Sequence, residues 1–369
     1  MNSSNLYIGV MSGTSLDGVD VALVRFQDHQ PRLIAKLDYP MPLPLKRALL
    51  NVNTGQKTNL KTIGEIDHQL GHLYADAVIA LLKQTGFDAH QIRAIGNHGQ
   101  TVFHQPNGEM PFTLQLGDAN LIAVRTSIQT IADFRRKDMA LGGQGAPLVP
   151  AFHRHLFAQP DACTIVLNIG GIANISVLHP RHPVIGFDTG PGNLLMDAWC
   201  QRHLDQGYDK DAQWGQSGTI DTTLLTALLR DPYLTQDYPK STGREHYNLS
   251  WLEHQASLAK IPPQNVQRTL CEFTAQTIAD AIAPFHHSAK DRVLVCGGGT
   301  HNPLLMKRIR ARLPSWQVEI TSAHGVDADQ MEAIAFAWLA RCYIEQIPSN
   351  LPDVTGASRA TSLGVSYLP

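Results

Sequence analysis

One pattern constrains this chain more than any other. A strand, a glycine turn and a second strand occur in the first half and again in the second. The first copy is YIGVMSGTSLDGVDVALV (Tyr7–Val24) and the second is TIVLNIGGIANISVL (Thr164–Leu178). In both, short runs rich in Val, Ile and Leu flank a turn whose glycines reach backbone conformations closed to other residues. Identity between the copies is weak, so what repeats is the plan. Chance similarity of two hairpins is the alternative. The length of 369 residues favours two halves, because single cores stop growing near about 250–300 residues.

Strand-like and helix-like segments alternate around these hairpins, which predicts an α/β chain of mixed, mostly parallel sheets with flanking helices. Ile66, Leu70, Leu73, Ala77 and Leu81 recur at helical spacing, and Gly86 is a stop signal. Ile92–Asn97 reads as a buried strand ending in a polar loop. Cys163–Asn168 reads as a strand entering the second glycine turn. Asn193–Leu204, Val266–Phe285 and Asp327–Glu345 read as helices. Arg292–Leu313 reads as strand, glycine turn and helix, with Asn302 suited to the N-cap and Pro303 to the first helical position. Glycine and proline cluster in ALGGQGAPLVPAFH (Ala140–His153), so a hinge is expected there. The expected domains are 1–135 with a C-terminal tail 350–369, and 136–349. Residues 206–239 show no clear period and read as an irregular insertion.

Charge and cysteine content exclude several classes. Lys plus Arg (30) nearly balances Asp plus Glu (32), so there is no general attraction to nucleic acid or an anionic membrane. The first residues lack a charged segment followed by a long apolar one, so no signal peptide is expected. No apolar run approaches the roughly 18–20 residues of a membrane helix. The five cysteines are scattered without a CxxC, so a reducing, cytoplasmic setting is expected and neither a disulfide framework nor a zinc site. A homodimer stays open.

Met11–Val19 is too long for an economical hairpin turn, which needs two to five residues. Backbone N–H groups beside Gly13 and Gly18, with the Thr14 and Ser15 hydroxyls, can wrap phosphate oxygens without a lysine. Asp17 and Asp20 would repel phosphate unless one of them holds Mg²⁺, which binds through few carboxylates and several waters. The alternative is a long surface hairpin with Asp and Gly as turn formers. No P-loop is present. The dinucleotide fingerprint is incomplete, because Asn302 stands where the third glycine belongs. Gly297–Gly299, between a strand and a helix, still suit a nucleotide, although many such turns use glycine only for packing.

Two glycine hairpins and a third glycine turn together resemble the superfamily of actin, the heat-shock chaperone ATPases and the sugar kinases. That resemblance implies two related domains clamping ATP in a cleft. One departure is Met11, where the superfamily usually carries Asp, and Asp17 is the candidate to take over its work. The fuller set GVMSGTSLDGVDVAL, NHGQT, ADFR, GGQGAPLVP, NIGGIAN, GFDTGPGN and GGGTHN is similar to the anhydro-N-acetylmuramic acid kinases, from Ile8 to Gly364. This implies ATP-dependent phosphorylation of O6 with hydrolytic opening of the 1,6-anhydro ring, in peptidoglycan recycling. It also implies Mg²⁺, with Asp17 holding it through water.

The resemblance implies roles residue by residue. Gly13, Thr14, Ser15, Leu16, Asp17, Gly18, Val19 and Asp20, with Gly170 and Gly171, would surround the phosphates. Gly297, Gly298, Gly299 and Asn302 would take the adenosine. Asp188 follows an apolar strand and falls on the family's base; capping the next helix, or an Asx-turn with Thr189, is the alternative. Glu332, one turn into a helix, would assist it, or only complement the helix N-terminus. Asn97, His98, Gln100, Thr101, Asp133 and Asn193 would contact the sugar, and Arg135 would pair with its lactyl carboxylate. The alternative for His98 is one structural histidine among 17, and for Asp133 and Arg135 a solvated charge run. Three other functions stay open: a plain hydroxyl kinase of another amino sugar, a non-catalytic actin-like ATP-binding switch, and a glycosidase working without ATP.

Overall fold

The computed structural model describes residues 5–13, 16, 18–28 and 30–369. Along the chain run β1 (Leu6–Met11), β2 (Gly18–Gln27), β3 (Gln30–Pro40), β4 (Ala94–Asn97), β5 (Gln100–Gln105), β6 (Phe112–Leu116), β7 (Thr130–Ala132), β8 (Thr164–Ile169), β9 (Ile172–Leu178), β10 (Ile185–Pro191), β11 (Arg292–Cys296), β12 (Gln317–Ile320) and β13 (Val365–Tyr367). They belong to two compact units. The first holds the described residues up to Phe152 together with Gln330–Pro369, and the second is His153–Asp329.

The first sheet has the order β13-β7-β4-β1-β2-β3. β1 is antiparallel to β2, β2 to β3, and β1 is parallel to β4, as β4 is to β7. All six residues of β1 are buried, as expected of a strand covered on both faces. On one face lies the helix Leu60–Thr85, whose Ile66, Leu70, Leu73, Ala77 and Leu81 are all buried. It starts earlier than its apolar spacing suggests, because the Asn59 side chain caps it by accepting from Thr62 N at 2.9 Å. It stops at Gly86, which is left-handed with φ +73°.

The helix Met331–Ile344 covers the other face. A Cβ on Gly9 would stand 1.7 Å from the Ala333 carbonyl oxygen, and one on Gly96 would stand 2.0 Å from that of Phe336. Only glycine lets the helix sit so close. This contact moves the helix from the second domain, where chain order put it, into the first. The boundaries accordingly fall at Phe152 and Gln330 rather than at 135 and 350.

The second sheet has the order β10-β9-β8-β11-β12. β8, β9 and β10 form an antiparallel meander, and β8, β11 and β12 are parallel. This repeats β3-β2-β1-β4-β7 strand for strand and sense for sense. The repeated plan is therefore a duplicated topology. The segment taken as an irregular insertion carries short helices at Gln213–Ser217 and Thr222–Leu228. They are too short for a period to emerge, yet Leu224, Leu228 and Tyr233 join the core of this unit.

The hinge-like stretch is tied down by fully buried Asp138. Its carboxylate accepts from Gly145 N, Asn350 Nδ2 and Thr355 Oγ1 at 2.8–2.9 Å. All five cysteines are buried and unbridged. Among the described residues no helix is long and apolar enough to cross a membrane.

Candidate active site

The loop after β1 is anchored from both ends. Ser12 Oγ donates to Gln100 Oε1 at 2.7 Å. Leu16 N donates to Gly13 O at 3.2 Å, closing a turn. Leu16 has φ +56°, an uncommon conformation for a branched residue. Its side chain is fully buried in the core below, as is that of Val19. Leu16 and Val19 therefore offer a phosphate only backbone atoms, the groups that a loop of this kind presents. Gly18 must be glycine because a Cβ would lie 2.8 Å from Tyr39 O on β3. Asp20, near the start of β2, pairs with Met11. Thr14, Ser15 and Asp17 lie outside the described residues.

Gln100 is fully buried. Its amide holds Ser12 and the Thr101 carbonyl, and Thr101 Oγ1 accepts from Gln115 Nε2 at 3.2 Å. Gln100 thus supports the loop from below instead of reaching a ligand. Asn97 ends β4 and His98 follows it, and both are buried. Asn97 Oδ1 is buried without a hydrogen-bond partner among the described residues. It lines a pocket of about 240 Å³ with His98, Asp133, Asp67, Gln115 and Tyr367.

The His98 ring lies 4.8 Å from Phe336 and accepts at Nε2 from Arg135 Nε (3.3 Å) and Nη2 (2.9 Å). Arg135 Nη1 donates to Gly145 O at 2.9 Å. Burial, then the Arg135 charge, hold His98 well below its ordinary pKa. Burial brings Arg135 down to about 10 while the Glu332 charge resists. Burial likewise raises Glu332, and the Arg135 charge opposes the rise. His98, Arg135 and Glu332 are thus one buried electrostatic cluster. Asp133 stands apart, left-handed at φ +55° and paired with Arg136 at 3.3 Å. It is not part of a solvated run, since burial raises its carboxyl.

In the second unit the Gly170–Gly171 turn docks on the start of the helix Leu194–Leu204. Asn193 N donates to Gly170 O at 2.8 Å, and Gly192 N to Gly171 O at 2.8 Å. A Cβ on Gly192 would stand 2.3 Å from Gly170 O. With these carbonyls turned into the helix, the rim around exposed Gly171 faces outward. Asn193 Nδ2 also donates to Ile169 O at 3.4 Å. Asn193 is thereby tied to the glycine turn of its own unit.

The third turn packs on the same place. A Cβ on Gly297 would lie 2.4 Å from Asn168 Oδ1, and one on Gly299 would lie 2.3 Å from Ile169 Cγ2. Gly298 is exposed, and a Cβ there would meet nothing nearer than Asn193 Nδ2 at 3.9 Å. Asn302 caps the helix Pro303–Arg312, accepting from Leu305 N at 2.9 Å. Its side-chain oxygen thereby accepts from the helix N-terminus.

Asp188 sits where β10 slips register before Gly190, and such bulges re-aim side chains. Its Oδ2 accepts from Thr242 N at 3.0 Å, its N donates to Lys240 O at 3.2 Å, and its O accepts from Tyr233 Oη at 2.8 Å. The next helix takes Asn193 as its N-cap, so Asp188 does not cap it. Burial lifts the half-buried carboxyl to about 6, the Thr242 N–H pulls it down, and the Glu245 charge adds to the rise. A carboxylate poised near neutrality suits a general base. Tyr233, Lys240 and Thr242 carried no signal in sequence, for they come from the stretch without a period and from its border.

Among the described residues no group of three His, Cys, Asp or Glu side chains is set to hold a metal. Mg²⁺ beside a triphosphate needs only one or two carboxylates and waters, so such a group is not required for it. Asp20 is the described carboxylate on the first loop.

A meander followed by two parallel strands, duplicated, with a glycine turn after the first strand of each copy, defines an α/β fold of the actin and sugar-kinase type. The chain belongs to the anhydro-N-acetylmuramic acid kinase family, whose model matches residues 5–369. It is 64% identical over 367 residues to the protein named anhydro-N-acetylmuramic acid kinase from Vibrio parahaemolyticus, covering 100% of this chain and 99% of that one. It is 61% identical over 369 residues to the protein of that name from Vibrio cholerae, covering all of both chains. Among solved structures, a ROK family glucokinase from Streptomyces griseus in complex with glucose and AMPPNP is 15% identical; the match covers 91% of this chain and 99% of that one, with a TM-score of 0.40.

Proposed function

We propose that this kinase transfers the γ-phosphoryl group of ATP to O6 of 1,6-anhydro-N-acetylmuramic acid while water opens the anhydro ring. The products are N-acetylmuramic acid 6-phosphate and ADP, a step of peptidoglycan recycling in the cytoplasm. Membership of the family over residues 5–369 supports the substrate. The observation that carries the mechanism is Asp188, a half-buried carboxylate lifted to about 6 and aimed by Thr242 N.

In the anhydro sugar O6 is bonded to C1 and has no proton for a base to remove. Asp188 instead takes a proton from water as the water oxygen bonds to C1, in the manner of an inverting glycosidase. The C1–O6 bond breaks and its electron pair stays on O6. O6 then bonds to the γ-phosphorus as the bond to ADP breaks. Asn97 and Asp133 hold sugar hydroxyl or amide groups, and Arg135, aimed by His98, faces the lactyl carboxylate. Glu332 completes that cluster. Backbone N–H groups of the loop Gly13–Asp20 and of Gly170–Gly171 hold the phosphates, and Gly298 leaves room for the adenosine. Asp17 would hold Mg²⁺ through water, and the ion would supply charge neutralisation at the phosphates.

The test is turnover in ¹⁸O-labelled water. The expected product carries one label, at C1. Unlabelled phosphorylated product would make the protein a plain hydroxyl kinase, and ATP hydrolysis with unchanged sugar would make it a switch. Asp188→Asn is expected to keep the fold and ATP binding and to lose turnover by about 10³-fold.

A further inference from the structure

The stretch that clamps Asp188 holds a second group facing the same task. Thr242 N donates to Asp188 Oδ2 at 3.0 Å. The Thr242 hydroxyl is buried and has no hydrogen-bond partner among the described residues. A buried hydroxyl left alone is costly and marks a place where a bound molecule completes the set. Covalent geometry keeps a threonine Oγ within about 3–4 Å of its own N. The hydroxyl therefore lies within the span of one water from the carboxylate that its own N–H holds. The other oxygen of Asp188 is not taken by Thr242 N.

We infer that Thr242 is a further catalytic residue: its N–H fixes one oxygen of Asp188, and its hydroxyl anchors the water that the other oxygen deprotonates. The inference rests on the reading of Asp188 as base. The water is then held at two points and keeps one lone pair for C1. Its proton passes to Asp188, and the Thr242 hydroxyl exchanges none. Lys240 O and Tyr233 Oη keep the strand from shifting, since both bind the Asp188 main chain. Among the described residues the Glu245 charge acts on this carboxylate and the Tyr233 hydroxyl lies on its main-chain oxygen, while Lys240 Nζ is engaged by the Tyr233 and Leu234 carbonyls.

The test compares Thr242→Val, which keeps the N–H and the shape, with Thr242→Ser, which keeps the hydroxyl. Thr242→Val is expected to lower kcat by about 10²-fold, with KM for ATP and sugar within about two-fold and an unchanged acid limb in the pH profile. Thr242→Ser is expected to recover most of kcat. Unchanged kcat in a folded Thr242→Val overturns the inference. So does a loss that appears as raised KM for the sugar, or one that Thr242→Ser does not recover while melting like the parent. Asp188→Asn is measured alongside. If it retains turnover, the base reading itself fails; if it is inactive while Thr242→Val is not, only the role of Thr242 falls.

Discussion

Arg135 donates to His98 Nε2 from two nitrogens, at 3.3 and 2.9 Å. A guanidinium has donors only, so His98 accepts on that side and carries its proton on Nδ1. The imidazole is neutral and aims the guanidinium; it is no acid at Nε2. The same Arg135 charge opposes the burial-driven rise of Glu332. One cation thus sets the protonation of two neighbours.

Arg135→Gln should therefore act on both. His98 is expected to titrate higher than in the parent, though burial still keeps it low, and NMR titration of the ring reads this directly. Glu332 loses its counter-charge and rises further. Loss of that charge is expected to lower stability at neutral pH, read by urea melts. A His98 titration that does not move would mean that Arg135 does not govern the ring.

Much of this site was legible in sequence where a backbone rule required one residue type. The two hairpins and the Gly297–Gly299 turn could be seen because glycine and apolar runs mark them. That the Leu16 and Val19 side chains turn into the core was not legible, because a contiguous motif does not say which of its side chains a strand and its turn send inward. The helix Met331–Ile344 returns to the first sheet through Gly9 and Gly96, a contact that chain order cannot reveal. Thr242 and Asp188 meet across 54 positions, and nothing in the sequence between them advertises it.

On the proposed role as base, Asp188 links activity to stability with opposite signs. Its carboxyl is raised from 3.8 to about 6, so the folded state binds the proton more tightly than the unfolded chain. The stability this contributes is complete below about 4 and is lost as pH rises through 6. Asp188→Asn, whose amide oxygen can still accept from Thr242 N, is expected to melt higher than the parent at pH 8 and alike at pH 4. The upper bound is about 3 kcal/mol, trimmed by solvent reaching the half-buried side chain. Melts at the two pH values check it, and an equal difference at both would refute the linkage.

The acid limb of kcat/KM should fall through the same region, because the base works only when ionised. The Glu245 charge helps to raise Asp188. Glu245→Gln is therefore expected to shift that limb toward lower pH, with the plateau kept. A limb that stays in place would remove Glu245 from the tuning of the base.

The third glycine turn separates packing from binding within three residues. Gly297→Ala would drive a Cβ to 2.4 Å from Asn168 Oδ1, at a backbone φ of +82°. Steric clash and left-handed strain add, so a loss of about 2–3 kcal/mol is expected. Gly298→Ala meets nothing nearer than 3.9 Å, so its melting should match the parent. If Gly298 faces the adenosine, the added methyl occupies space the nucleotide needs. KM for ATP should then rise several-fold, with KM for the sugar unchanged. Calorimetric titration with a non-hydrolysable ATP analogue, set beside thermal melts of both variants, decides the matter: unweakened binding to Gly298→Ala would exclude this turn from the nucleotide site.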